Sequence, residues 1–169
     1  GSQGNSRIRE FSYLQKDYPD SDKFTLYFSA PSDVRDVAFH IETPREVLGL
    51  EDSQWMYLPV SRQTRRISTT DKRGAFMGSD YSYADLDQID SITHSETEDF
   101  IAGTRSRLRF NQLQYNVVLD DRLFTQTAIK CGLIAGDLPD TPCLPILGML
   151  TLLTTSVTVY GTMYLLDIS

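Results

Sequence analysis

The sequence predicts a mainly β, antiparallel fold, and three observations support that class. The 169 residues include 9 Tyr and 8 Phe, whose side chains suit the half-buried surface of a sheet. Phe24, Leu26 and Phe28 occupy alternate positions, which is the period of a strand with one buried side. Residues 17–22 and 30–33, rich in Asp, Pro and Ser, separate the apolar runs and predict turns between strands.

The other strands of the first half follow in order along the chain. Residues 37–42 predict a second strand, and residues 43–53 a loop. Residues 54–59 carry apolar side chains on both faces, so we expect this strand to be covered on each side. Residues 64–68 continue the β pattern, and residues 69–79, which include two glycines, predict a loop.

A short helix and two more strands are predicted in the second half. Residues 81–86 predict the helix, whereas the polar residues 88–100 indicate no element. Residues 103–110 predict a strand with three arginines on one face and small or apolar side chains on the other. Residues 111–119 predict another strand, after which Asp120 is placed to cap a helical turn.

Charge and motifs exclude several classes of function. The net charge of −7 gives the chain no general attraction for phosphate backbones, so we expect no nucleic-acid partner. His40 and Glu42 match half of a zinc-deaminase signature, but Ile146 stands where that signature needs its second cysteine. No G-x-S-x-G motif is present. We therefore predict no catalytic residue, no metal site and no cofactor, with His40 as a structural histidine.

One short segment concentrates positive charge in this acidic chain. It holds five of the 16 basic residues, and only Asp71 opposes them. A solvated loop is the simplest interpretation. The alternative is a docking patch for an acidic partner or an anionic lipid headgroup. The candidate docking residues are Arg62, Arg65, Arg66, Lys72 and Arg73.

The C-terminal tail contains a long uncharged run, residues 141–166. This run is long enough for a membrane-spanning helix. Its recurrent Thr and Ser, with Val157 and Val159, favour instead a hairpin of two strands turning near residues 154–156. A non-native or frame-shifted tail is the third interpretation. We slightly favour the membrane helix because so long a run without charge is unusual in a soluble domain.

The two cysteines, Cys131 and Cys143, flank a segment that can close a loop. In an oxidising compartment they would form a disulfide, and the alternative is two unrelated small buried side chains. The sequence does not choose between these.

Several runs, taken in order, resemble a known family. They are A-P-S-D-V-R at residues 30–35, W-M-Y-L-P at 55–59, G-S-D-Y-S-Y-A-D-L at 78–86 and Y-N-V-V-L-D-D-R-L-F-T at 115–125. In these runs the chain is similar to the LolA-like outer-membrane lipoprotein-sorting family, in the branch often encoded beside RND-type exporters.

The resemblance covers residues 7–88 and 93–128, with the family's central strands missing around residues 88–93. It leaves residues 1–6 as a tag or trimmed start and residues 129–169 as an apolar C-terminal tail.

The resemblance implies an incomplete, open antiparallel β-barrel with short helical turns, in the periplasm, whose hollow holds acyl chains. We therefore expect a non-catalytic carrier that passes lipids or lipoproteins between envelope components, with an RND-type exporter or other envelope protein as a further partner. A docking module that pairs an exposed sheet edge with a partner protein is the alternative. Residues 141–166 would supply any membrane contact or anchor.

Strand alternation identifies candidate residues for the acyl-binding surface. Placed on the inner face of an antiparallel sheet, these side chains offer a concave apolar surface, although ordinary core packing explains the same pattern. The predicted ligand-binding residues are Phe24, Leu26, Phe28, Phe39, Ile41, Trp55 and Tyr57.

Overall fold

The computed structural model describes residues 6–88, 94–99, 104–114, 119–131 and 158–168. These residues form one antiparallel sheet of eight strands, in the order β5-β4-β3-β2-β1-β8-β7-β6. The strands are β1 (Ser6–Asp17), β2 (Ser21–Ala30), β3 (Ala38–Pro44), β4 (Ser53–Leu58), β5 (Gln63–Ile67), β6 (His94–Asp99), β7 (Thr104–Gln114) and β8 (Thr158–Ile168).

The predicted fold class is confirmed. The sheet is antiparallel, and it is open because β5 and β6 lie at its two ends and do not pair with each other. Between the strands, the described residues contain only short 3-10 turns. These are Glu46–Leu48, Asp71–Arg73, Phe76–Gly78, Asp85–Gln88, Asp121–Leu123 and Ala128–Cys131.

The C-terminal tail contributes a strand in the middle of the sheet. Thr158–Ile168 pairs with β1 on one side and with β7 on the other. The prediction of a membrane helix is therefore wrong for residues 158–166, where β-branched and aromatic side chains favour the extended backbone. The predicted turn at residues 154–156 lies outside the described residues. No helix in the described part of the chain is long and apolar enough to cross a membrane.

Other local predictions need correction. In place of the helix predicted over residues 81–86, Ser82 forms an isolated bridge with Ala75, and a 3-10 turn follows at Asp85–Gln88. The amide and hydroxyl of Ser82 donate to the carboxylate of Asp85 at 2.6 and 2.8 Å, which caps the start of that turn. Residues 104–114 form one strand where two were predicted, and β6 lies in a segment without a predicted element.

Both faces of the sheet are covered. One, here called the front face, lies under residues 71–88, the front cover. The opposite rear face lies under residues 119–131, the rear cover. The front cluster contains Phe11, Tyr13, Phe24, Leu26, Phe28, Phe39, Ile41, Met56, Ile67 and Leu108 under Phe76, Tyr81 and Leu86. The rear cluster contains Leu14, Tyr27, Ala38, Tyr57 and half-buried Trp55 under Leu119, Leu123, Phe124 and Ile129.

Candidate functional site

The front face brings together five of the seven predicted ligand-binding residues. Cross-strand pairing sets their positions, with Phe24 opposite Ile41 and Leu26 opposite Phe39. Phe28 lies opposite Phe11 on β1, and their ring centroids are 5.0 Å apart. All five side chains are buried, so the alternation of β2 and β3 identified a continuous apolar surface.

Trp55 and Tyr57 lie on the other face, which corrects their predicted placement. In the β3–β4 register, Met56 is opposite Phe39, whereas Trp55 is opposite His40. Met56 therefore joins the front cluster, and its neighbours in sequence turn to the rear. The expected cover on each side of this strand is found.

Aromatic packing joins the front cover to the front face. The ring of Phe76 lies 5.1 Å from that of Phe39 and 5.9 Å from that of Phe28. The ring of Tyr83 contacts the same group, at 5.6 Å from Phe76 and 5.7 Å from Phe39. The front cover thus occupies the space where a ligand would contact the sheet.

A few polar contacts with buried side chains also hold the front cover. The Lys72 ammonium forms an ion pair with the carboxylate of Asp52 and donates to the Asp52 backbone carbonyl at 3.0 Å. The Gln54 side-chain amide donates to the Tyr83 carbonyl at 2.9 Å. The Ser106 hydroxyl accepts from the Asp80 amide at 2.9 Å. Lys72 is only 7% exposed, so its predicted place in a docking patch is wrong.

The front cover turns sharply at Met77 and Gly78, which both have left-handed backbone, with φ of 51° and 73°. This turn is closed by the Ser79 hydroxyl, which donates to the Phe76 carbonyl at 2.7 Å. Glycine suits position 78 because a side chain is strained at that φ. Buried Arg9, on β1, reaches beneath the turn, since a Cβ on Gly78 would lie 3.7 Å from its Nη2 atom. Sequence reasoning missed Arg9 because an arginine in a strand signals exposure.

On the rear face, Thr25, His40 and Glu42 align like a nucleophile, a base and an acid. His40 Nδ1 lies 3.1 Å from the Thr25 hydroxyl, and Nε2 lies 3.0 Å from Glu42 Oε1. The hydrogen bond from His40 lowers the pKa of Glu42 below its usual value, so the carboxylate is ionised and Nε2 carries a proton. Thr25 and His40 are both 0% exposed, which fits a structural histidine.

Polar contacts between β1, the turn that follows it and Asp121 hold the rear cover. The Lys16 ammonium donates to Asp121 Oδ1 at 2.6 Å, and the Tyr18 hydroxyl donates to the same oxygen at 2.7 Å. These hydrogen bonds, with the larger contribution from Lys16, lower the pKa of Asp121 below its usual value. Asp120 caps the first turn as predicted, because its carboxylate accepts from the Arg122 amide at 2.8 Å. At the end of the rear cover, Cys131 is disulfide-bonded.

The remaining predicted docking residues form what we call the arginine patch: Arg62, Arg65, Arg66 and Arg73. All four are exposed, and none forms an ion pair with a described residue. The Arg66 guanidinium donates to the Ser53 hydroxyl at 2.9 Å and lies 6.0 Å from the Trp55 ring.

Within the described ranges, no group of three or more His, Cys, Asp or Glu side chains is placed to hold a metal ion.

Comparisons with known proteins give few matches. A family model described as "-like: Uncharacterized protein" matches residues 20–91. No curated protein matches the chain.

Two solved structures are similar to the chain. One is a proposed outer-membrane lipoprotein-sorting protein domain from Vibrio parahaemolyticus, 16% identical, covering 98% of this chain and 83% of that one, with a TM-score of 0.39. The other is a DUF1329 family protein from Desulfovibrio piger, 15% identical, covering 99% and 85%, with a TM-score of 0.41.

Proposed function

We propose that this protein is a non-catalytic carrier that holds an acyl chain of a lipid or lipoprotein against the front face. The observation that carries the proposal is an apolar surface running across five neighbouring strands, from Phe11 on β1 to Met56 and Ile67, which the described residues close with short turns and loops. A hydrocarbon chain needs such a surface and no catalytic group.

Loading requires the front cover to exchange places with the ligand. The rings of Phe76 and Tyr83 leave the front face, and the acyl chain contacts Phe28 and Phe39 in their stead. When the front cover leaves, the apolar surface of the front face is exposed, and the acyl chain buries it again. The exchange therefore costs little hydrophobic free energy. The buried polar contacts of Lys72 and Gln54 must also break or move, which adds to the free energy that ligand binding has to supply.

An oxidising envelope compartment, the periplasm, fits this carrier. The disulfide at Cys131 supports it, because such bonds persist where thiols are not kept reduced. The sequence resemblance supports the same compartment. Lipid or lipoprotein acyl chains are the proposed cargo, and an RND-type exporter is a proposed source or acceptor.

A titration with cis-parinaric acid, a fluorescent fatty acid, tests the proposal. Phe76→Ala removes the ring that blocks the front face, so we expect binding about tenfold tighter than wild type. Phe124→Ala is the matched control, because it removes a buried ring of similar size from the rear cover. The control should leave binding unchanged while losing similar stability.

Two results would contradict the proposal that the protein is a carrier. Wild type and Phe76→Ala both failing to bind the fatty acid would leave no ligand for the front face. Equal effects of Phe76→Ala and Phe124→Ala would show that loosening the fold, rather than opening the front face, admits the probe. Phe76→Leu, a smaller truncation, repeats the test if Phe76→Ala does not fold.

A further inference from the structure

Strand β5 forms one end of the sheet. Gln63–Ile67 pairs with β4, and in the described part of the chain no strand pairs with its outer edge. Alternate backbone amides and carbonyls of an end strand point outward, where they can pair with another extended chain.

The arginine patch surrounds this edge. Arg65 and Arg66 lie within β5, Arg62 directly precedes it, and Arg73 follows after a short loop. Across the β4–β5 pair, Arg65 faces Met56 and Arg66 faces Trp55, so no carboxylate neutralises either from the neighbouring strand. Exposed arginines that form no ion pair with a described residue create a local positive surface on this chain of net charge −7, and such a surface attracts an acidic partner.

The same charges disfavour a second copy of this chain at the edge. In an antiparallel pair of two β5 strands, the arginines of one copy would face those of the other, and like charges directly opposite are destabilising. The partner therefore has to carry negative charge.

The positions of Arg65 and Arg66 distinguish a peptide from a flat anionic surface. Consecutive residues of a strand point to opposite faces, so Arg65 lies on the front side with Met56 and Arg66 on the rear side with Trp55. A membrane or a single headgroup approaches from one side and meets one of them. An extended chain along the edge also alternates its side chains, so adjacent acidic residues reach both arginines.

We propose that the β5 edge binds an extended acidic segment of a partner protein by strand addition. Backbone hydrogen bonds to β5 supply affinity, and adjacent Asp or Glu side chains on the partner pair with Arg65 and Arg66. The β5 edge borders the front face, since Arg65 lies on the same side as Met56, but the proposal needs only the edge and its arginines and stands whether or not the protein carries acyl chains.

Fluorescence anisotropy of a labelled peptide with the full chain tests strand addition. The probe is fluorescein-Ser-Val-Glu-Glu-Val-Thr, whose adjacent glutamates reach both faces. We expect saturable binding that weakens with added salt. Arg65→Glu and Arg66→Glu should each weaken it about tenfold, because an attraction becomes a repulsion. Arg35→Glu, an exposed arginine on the β2–β3 loop, should have no effect.

A second peptide separates strand addition from charge alone. In Ser-Pro-Glu-Glu-Pro-Thr, prolines remove backbone donors and disfavour pairing while both glutamates remain. We expect this peptide not to bind. Equal binding of both peptides would overturn strand addition.

Vesicles of phosphatidylglycerol test the other anionic partner. Vesicle binding without peptide binding, lost on reversing only one of Arg65 and Arg66, would replace the proposal with a lipid-headgroup site. Because the arginine side chains are exposed, all the variants should melt like wild type, which circular dichroism checks.

Discussion

The two covers of the sheet close similar apolar clusters by different means. The rear cover is fastened by an ion pair from Lys16, a hydrogen bond from Tyr18 and a disulfide at Cys131. The front cover relies on ring packing around Phe76 and on a few buried polar contacts. The rear cover thus combines an exposed ion pair with a covalent bond, whereas much of the front closure consists of apolar contacts that a hydrocarbon ligand can replace.

The largest expected difference in stability is between two variants that each place a carboxylate on one face of the sheet. Phe28→Asp buries an unpaired acid among the rings of Phe11 and Phe39, which costs several kcal/mol. Trp55→Asp costs less, because Trp55 is only half-buried and Arg66 lies beside it. Urea denaturation should show the first variant far less stable than the second. Equal losses would mean that the two faces are equally closed.

The second largest effect is expected from reducing the disulfide at Cys131, which should destabilise the rear cover. A disulfide that closes a short loop contributes about 3 kcal/mol. We expect Cys131→Ser, or wild type in dithiothreitol, to lose about that much stability and to expose residues 119–131 to proteolysis first. Loss of protection in residues 71–88 instead would show that the disulfide supports the front cover.

Substituting the lysine of each ion pair compares the contacts that hold the two covers. Lys72→Met removes the buried ammonium that pairs with the Asp52 carboxylate, which costs about 1–3 kcal/mol. Lys16→Met removes a pair whose acid, Asp121, is 71% exposed, and costs less than about 1 kcal/mol. Hydrogen exchange should rise in residues 71–88 for the first variant and in residues 119–131 for the second. The opposite assignment would reverse our account of what holds each cover.

The smallest expected effect is a loosening of the rear cover in acid. The pKa of Asp121 is lowered in the folded protein, so its stabilising contribution is present above the usual Asp value of about 3.9 and is lost as pH falls through the lowered value. The pKa of Asp120 is lowered to about 2 by its hydrogen bonds from Arg122, so this acid stays ionised longer. The methyl NMR signals of Ile129 should shift over this range, and Asp121→Asn should abolish the shift. If the pH-dependent shift of the Ile129 signals persists in Asp121→Asn, another acid causes it.

The sequence predicted strands β2 to β5, and it predicted the core positions of β2 and β3 because simple alternation places Phe24, Leu26 and Phe28 on one face. It did not predict β1 or β6. It could not assign Trp55 and Tyr57, since residues 54–59 are apolar on both sides and only the register with Phe39 decides between them. The position of β8 between β1 and β7 depends on pairing between distant segments, which local patterns do not encode.

Lys72 shows the same limit within the candidate site. Its position in a basic run indicated a solvated or docking side chain. Its burial depends on Asp52, 20 residues earlier, and on the fold that brings the two together. Arg62, Arg65, Arg66 and Arg73, without such an acid among the described residues, remain at the surface.

Photo-crosslinking with a fatty acid that carries a diazirine on its chain tests the central claim most directly. Mass spectrometry of the labelled protein gives the residues that contact the acyl chain. We predict adducts on the front face and its cover, at Phe28, Phe39, Met56 and Phe76, which unlabelled fatty acid competes away. Adducts confined to the rear cover around Leu123, Phe124 and Ile129, or no competed adduct at all, would contradict the claim that the front face binds acyl chains.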